Sequence, residues 1–202
     1  MKLTSVTLTL FLLLFTSLSG CIGFEGEYVE ISEDKDTNEN SIYSIHCQEY
    51  DFLERCWKLL VPDSLENDTL IPLVVDIHGY TQDMDKHNNM TGFADIAIEE
   101  GFIVVYPDGY ENSWNAGDIC CGVAHQEGID DLNFLLALVE NLTETQPIDT
   151  DRIYVSGWSN GCGMTQMLAV EASELFAAAG CMSFYLIAPP SSNYTPIPFM
   201  EV

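Results

Sequence analysis

Apolar and polar positions alternate in blocks along most of the chain. Pro72 to Ile77 (PLVVDI) and Phe102 to Tyr106 (FIVVY) are short apolar runs, and Arg152 to Ser156 (RIYVS) returns to the same character. Runs of this length, rich in β-branched and aromatic residues, predict buried strands. Between them, Thr91 to Glu100 (TGFADIAIEE) and Asp130 to Leu142 (DDLNFLLALVENL) carry apolar residues at helical spacing, the second with Asp130 placed to cap its first turn. A further helix is predicted from about Asn160 to Leu175, a strand around Ala178 to Phe184 and the start of another at Ile197 to Val202. Apolar strands separated by amphipathic helices predict an α/β fold, a mostly parallel sheet with helices on both faces.

The front of the chain departs from this alternation. Met1-Lys2 precedes an apolar run from Val6 to Leu18 and the small residues Ser19 and Gly20, a secretory leader too short to span a bilayer. Leu18-Ser19-Gly20-Cys21 resembles the prokaryotic lipobox, which makes Cys21 the lipidated first residue of the mature protein; an ordinary signal peptide ending near a chance cysteine is the alternative. From Ile22 to Ser44 the chain is acidic and polar, the composition of a tether. Glu54 to Val61 then reads as a strand stopped by Pro62-Asp63, with Cys47 and Cys56 brought together in a hairpin. The expected organisation is a leader over residues 1–20, an acidic tether over 21–44 and one α/β domain over 45–202.

The 202 residues carry 32 Asp plus Glu against 6 Lys plus Arg, a formal net charge of −26. Such a surface repels nucleic acid and anionic headgroups, so the only membrane attachment expected is the lipid on Cys21. With Cys21 set aside, Cys47, Cys56, Cys120, Cys121, Cys162 and Cys181 form an even set in an exported chain, which predicts disulfides. No CxxC pair or HExxH helix argues for a metal, and no cofactor is expected. The sequence sets no oligomeric state.

The chemistry concentrates in Gly157-Trp158-Ser159-Asn160-Gly161, which follows the RIYVS strand and opens a helix. This strand-turn-helix context is that of a nucleophile elbow, in which a tight turn projects the serine hydroxyl above the sheet edge. Ser159 is therefore the expected nucleophile. Two donors are needed for the oxyanion of acyl transfer: the backbone N–H of Asn160, and that of Tyr80 in His78-Gly79-Tyr80, which follows PLVVDI. His78 reads as a residue that shapes this loop. Asp130 and Asp131 read as structural, and His125 as a surface residue in a polar loop.

The stretches PLVVDIHGYTQD, GFADIAIEEGFIVVYPDGY, SWNAGDICCG, GIDDLNFLLALV and DRIYVSGWSNGCGMTQMLA, in this order and spacing, resemble the secreted esterases grouped with poly(3-hydroxybutyrate) depolymerases, feruloyl esterases and acetylxylan esterases. The resemblance covers roughly Leu59 to Phe184. It implies the α/β-hydrolase fold and ester hydrolysis through an acyl-enzyme on Ser159, with an extracellular polyester or a plant or algal polysaccharide ester as substrate. Within SWNAGDICCG it offers Trp114 as a wall of the acyl subsite, with ordinary packing as the alternative. It also offers a bridge from Cys120 or Cys121 to Cys162. Trp158 has the same two readings as Trp114.

The sequence departs from the family after Ser159. The triad order Ser, acid, His calls for an acid and a histidine downstream, yet only Glu171, Glu174 and Glu201 follow, and His46, His78, His87 and His125 all precede the serine. The expectation is a fold incomplete at its C-terminal end, with a catalytically inactive surface lipoprotein as the alternative to an esterase.

Overall fold

A computed structural model describes residues 42–63, 69–117, 120–184 and 194–202. The leader, Cys21 and nearly all of the tether lie outside the described residues. Among the described residues, no helix is long and apolar enough to cross a membrane.

Among the described residues seven strands form one sheet: β1 (Tyr43–Tyr50), β2 (Leu53–Leu60), β3 (Ile71–Ile77), β4 (Ile103–Pro107), β5 (Ile148–Trp158), β6 (Ala178–Met182) and β7 (Phe199–Glu201). Their order is β1-β2-β4-β3-β5-β6-β7. β1 and β2 are an antiparallel hairpin with Cys47 opposite Cys56, and β2 runs antiparallel to β4. From β4 onward every pairing is parallel. The first strand begins at Tyr43, so the ordered hairpin starts within the segment read as tether.

Alternation along the strands builds two unequal cores. Leu73, Val75 and Ile77 of β3, with Ile103 and Val105 of β4 and Ile153 and Val155 of β5, face one side. There they meet Phe134, Leu135, Leu138 and Leu142 of one long helix and Met164 and Leu168 of another. The opposite side holds a smaller cluster, Leu60, Ala94, Ala97, Val104 and Tyr106.

Among the described residues five α-helices accompany the strands: α1 (Met84–Thr91), α2 (Phe93–Glu100), α3 (Gly122–Glu127), α4 (Asp131–Thr145) and α5 (Asn160–Glu171). Asp130 caps α4 as expected, its carboxylate accepting from Asn133 N at 3.2 Å. The helix expected from Thr91 to Glu100 is α2, and a further helix, α1, precedes it across Gly92, where φ is +67°. Asp83 caps the first of the two by accepting from Lys86 N at 2.8 Å. That helix, MDKHNNMT, has few apolar residues to reveal a period. The polar loop expected around His125 contains the short helix α3.

Candidate active site

The C-terminal ends of the parallel strands bring three chain segments together, as open α/β sheets do at their ligand crevices. They are the end of β3 (His78 to Tyr80), the loop after β4 (Asp108 to Asn115) and the turn from β5 into α5 (Trp158 to Gly161).

Ser159 stands between β5 and α5 with φ +53° and ψ −117°. A side-chain-bearing residue pays of order 1–3 kcal/mol of strain in such a sparsely populated region. Its neighbours hold it there. Ser159 N–H donates to Met182 O at 2.9 Å, and its carbonyl accepts from Gly163 N at 3.1 Å as α5 begins. The flanking glycines are required by close approach. A Cβ on Gly157 would lie 2.5 Å from Gly161 O, and one on Gly161 would collide with the backbone carbonyls of Ile77 and His78. The glycine pair thus lets α5 start directly against the ends of β3 and β5.

The β3 end lies beside this turn. A Cβ on Gly79 would sit 2.9 Å from Cε3 of Trp158 and 3.1 Å from its carbonyl oxygen. Around Tyr80 the neighbouring backbone donors are all engaged: Gly79 N–H with Gln82 Oε1 at 3.0 Å, Thr81 N–H with Asn112 O at 2.9 Å, and Gln82 N–H with Gly79 O at 3.1 Å. The Gly79 carbonyl, in the same peptide unit as the Tyr80 N–H, also receives His78 Nδ1 at 2.8 Å. Two donors on the carbonyl fix the plane of that peptide, and the trans geometry sends the Tyr80 N–H the opposite way. The Tyr80 ring is half exposed.

His78 is fully buried, and both its nitrogens are committed. Nε2 accepts from Gly109 N at 2.8 Å, so Nδ1 carries the proton donated to Gly79 O. Burial pushes its pKa down from 6.5 to about 4. This neutral ring ties the end of β3 to the loop after β4, the loop-shaping part expected of it.

Trp114 is also completely buried. Its indole N–H donates to His78 O at 2.9 Å, and its ring lies 4.9 Å from that of His78. The Trp114 ring thus has no exposed surface in this structure and is enclosed by its packing neighbours. Its backbone is gripped by the Asn160 side chain, whose Oδ1 accepts from Trp114 N at 2.7 Å and whose Nδ2 donates to Trp114 O at 3.0 Å. Trp158 is half-buried and lies on the sheet face that carries α1 and α2.

Behind the loop lies an ion pair that sequence reasoning did not find. Arg55 of β2 meets Asp131 at 2.6 Å with both side chains buried, and Asp131 accepts from Asn115 N at 2.7 Å. The guanidinium also stacks over Phe134, 3.9 Å from its centroid. Burial pushes the Asp131 carboxyl up, against the opposing pull of Arg55.

All six body cysteines are paired: Cys47 with Cys56, Cys120 with Cys121, and Cys162 with Cys181. The bridge from Cys120 or Cys121 to Cys162 does not form. Cys162, at the start of α5, faces β6, where Cys181 stands level with Gly157. Among the described residues, one cluster has metal-ligand chemistry, Cys47, Glu54 and Cys56, and its two sulfurs are joined to each other.

Residues 55–200 match the profile of the Esterase PHB depolymerase family. The chain belongs to this family. Feruloyl esterase B of Piromyces equi is 28% identical over 129 residues, covering 62% of this chain and 23% of that protein. Among solved structures, an acetyl xylan esterase from Aspergillus awamori superposes with a TM-score of 0.53 at 25% identity, covering 63% of this chain and 46% of the other. An S-formylglutathione hydrolase from Staphylococcus aureus reaches a TM-score of 0.58 at 16% identity, over 70% of this chain and 56% of the other, a likeness of fold alone. The fold is that of the α/β-hydrolase esterases, and the chain spans between about a quarter and just over half of the length of these proteins.

Proposed function

We propose that the protein is a serine carboxylic-ester hydrolase with Ser159 as its nucleophile. The observation that carries this reading is the backbone of Ser159, held at φ +53° between two glycines where β5 meets α5, beside the end of β3. In the reaction Ser159 Oγ adds to the ester carbonyl carbon while a base removes its proton. The carbonyl oxygen becomes an oxyanion, received by the N–H groups of Tyr80 and Asn160, the latter among the first N–H groups of α5, which have no intrahelical acceptor. Collapse expels the alcohol and leaves an acyl-enzyme; water then adds and releases the acid.

The base is not among the histidines of this chain. His78 has both nitrogens engaged, His87 lies buried on the other face of the sheet beside Asp76, His125 approaches Asn115, and His46 bonds Ser44. The reading therefore names no base and no acid among the described residues. For substrate it takes polyesters or ester-substituted plant or algal polysaccharides, supported by the feruloyl and acetylxylan esterases among the relatives. It also places the protein outside the cytoplasm, attached through lipid on Cys21, which labelling with a radioactive fatty acid tests against Cys21→Ala.

A second reading has its own support. Among the described residues no side chain hydrogen-bonds to Ser159 Oγ, as fits a surface lipoprotein that retains the scaffold and binds esters without turnover. Hydrolysis of p-nitrophenyl acetate and of feruloylated and acetylated xylan, each compared with Ser159→Ala, separates the two. Turnover lost in the variant supports the esterase; ester binding with equal, background turnover in both proteins supports the silent scaffold.

A further inference from the structure

β1 and β2 meet in a two-residue turn, Asp51-Phe52, closed by the pair Tyr50 and Leu53. Both turn residues have positive φ, +50° at Asp51 and +63° at Phe52. Tight hairpin turns with this backbone favour asparagine and glycine, and a bulky side chain at positive φ is strained. Phe52 is nevertheless 92% exposed, more than any other large apolar residue among those described. Its ring adds little packing to the fold while its backbone works against the turn, which glycine would make without strain. A single exposed apolar side chain needs no explanation by itself. One held in a conformation that disfavours it points to a role outside folding.

The hairpin that carries Phe52 is braced. Cys47 is bonded to Cys56 across the two strands. The Tyr50 ring lies 5.8 Å from that of the buried Phe134 in α4, over which the Arg55 guanidinium also stacks at 3.9 Å. The turn is therefore a stiff projection tied to the main core.

Strand register sets where it projects. Trp57 pairs with Pro107, Val75 with Val105 and Ile77 with Gly157, so Trp57, Pro107, Ile77 and Gly157 stand level across the sheet. β2 runs antiparallel to β4, so its start points the same way as the C-terminal ends of the parallel strands. Phe52 is five residues beyond the level of Trp57, and Ser159 two beyond that of Gly157. At about 3.3 Å per residue the tip rises roughly 10 Å above Ser159, and three strand spacings of about 4.8 Å set it roughly 14 Å to the side. A flat solid resting on Phe52 lies over the strand ends where Ser159 stands.

The chemistry of the tip selects its partner. Glu49, Asp51 and Glu54 around the turn are exposed carboxylates, which repel anionic surfaces. The phenyl ring has no hydrogen-bond donor or acceptor, so apolar contact alone recognises its partner. A convex apex meets a flat solid, whereas a single polysaccharide strand calls for a groove with hydroxyl partners. We propose that Phe52 is the tip by which this protein adsorbs to the surface of a solid aliphatic polyester. The polyester class rests on the reading given above for Ser159; the adsorbing tip rests on the hairpin.

Adsorption needs no turnover, so its failure and the failure of that reading are distinguishable. Binding isotherms of the 202-residue chain and of Phe52→Gly are measured on poly(3-hydroxybutyrate) granules, insoluble xylan and phosphatidylcholine vesicles, together with melting temperatures. The expected result is granule binding that weakens about tenfold or more in Phe52→Gly, as loss of one buried phenyl ring requires, and that returns in Phe52→Trp. The melting temperature of Phe52→Gly rises. Absent granule binding overturns the proposal, and so does granule binding that Phe52→Gly leaves unchanged. Stronger binding to xylan or to the vesicles overturns it in favour of a polysaccharide or a membrane. A Phe52→Gly chain that melts lower or does not fold overturns it as well, since the ring then serves the fold. Turnover of dissolved p-nitrophenyl acetate, compared with Ser159→Ala, tests the Ser159 reading alone and is the same in Phe52→Gly as in the wild type.

Discussion

Protonation of His78 should cost the native state much of its stability in mild acid. In the fold the ring is neutral, donating from Nδ1 to Gly79 O and accepting at Nε2 from Gly109 N–H, with no surface exposed. A second proton would sit on Nε2, facing the Gly109 donor. Burial holds the native pKa at about 4, against about 6.5 in the unfolded chain. The sign follows from proton counting: between these values the unfolded state binds the extra proton and the native state does not. The stabilising contribution is therefore complete above pH 6.5 and is lost as pH falls through that window to about 4. The difference of roughly 2.5 units corresponds to about 3 kcal/mol, a large share of a typical domain's stability. Burial also pushes the Asp108 and Asp131 carboxyls up from the usual carboxylate range, so the assay is a difference. Urea unfolding of the wild type and of His78→Gln is measured from pH 4 to 7.5. The variant should be less stable at pH 7.5, and the gap should narrow by up to about 3 kcal/mol by pH 4. Parallel curves would refute the reasoning, as would a wild-type His78 imidazole whose NMR titration midpoint lies near 6.5, a measurement that does not require the variant to fold.

Three further outcomes are expected. Arg55→Met leaves Asp131 buried without its cation and should cost about 3–5 kcal/mol in chemical denaturation, whereas Arg55→Met with Asp131→Leu should recover part of that loss. Asn160→Ala strips both partners from the Trp114 backbone and should cost about 2–5 kcal/mol, seen also as faster amide exchange at Trp114. Ser159→Gly should raise the melting temperature, because glycine tolerates φ +53° where serine is strained by about 1 kcal/mol or more, while any Ser159-dependent ester hydrolysis disappears; an unchanged or lowered melting temperature would count against strain at this position.

Elements with a strong period were legible in the sequence. β3, β4, α4, α5 and β6 lie where their apolar spacing put them, because each buries a face against the same large core. α1 was not, since its sequence MDKHNNMT carries polar residues at buried places: His87 and Asn88 are inside. β5 begins earlier than RIYVS indicates because Asp149, Thr150 and Asp151 lie at its exposed end. At the candidate site, Ser159 and its glycines could be read because a turn of this geometry restricts residue type locally. The Asn160 clamp on Trp114 and the Arg55–Asp131 pair join residues 46 and 76 positions apart, and nothing in local pattern marks a polar residue as the partner of a distant backbone. The same blindness hid the cluster in which Asp76 accepts from Ser156 Oγ and adjoins His87. Asp76 interrupts the apolar run PLVVDI, and that interruption is the one signal that could have been followed.

The architecture separates holding the serine from activating it. Among the described residues, Ser159 is fixed by Met182 O and Gly163 N on its backbone, Gly157 and Gly161 at its sides, and the His78, Trp114 and Asn160 network behind the adjoining loops. None of these groups removes a proton from Oγ. A turn from β5 into α5 could be made at lower cost by glycine, so a serine strained at φ +53° is what the proposed nucleophile role requires and folding alone does not. On the proposed reading, the described residues hold the serine and supply no base for it.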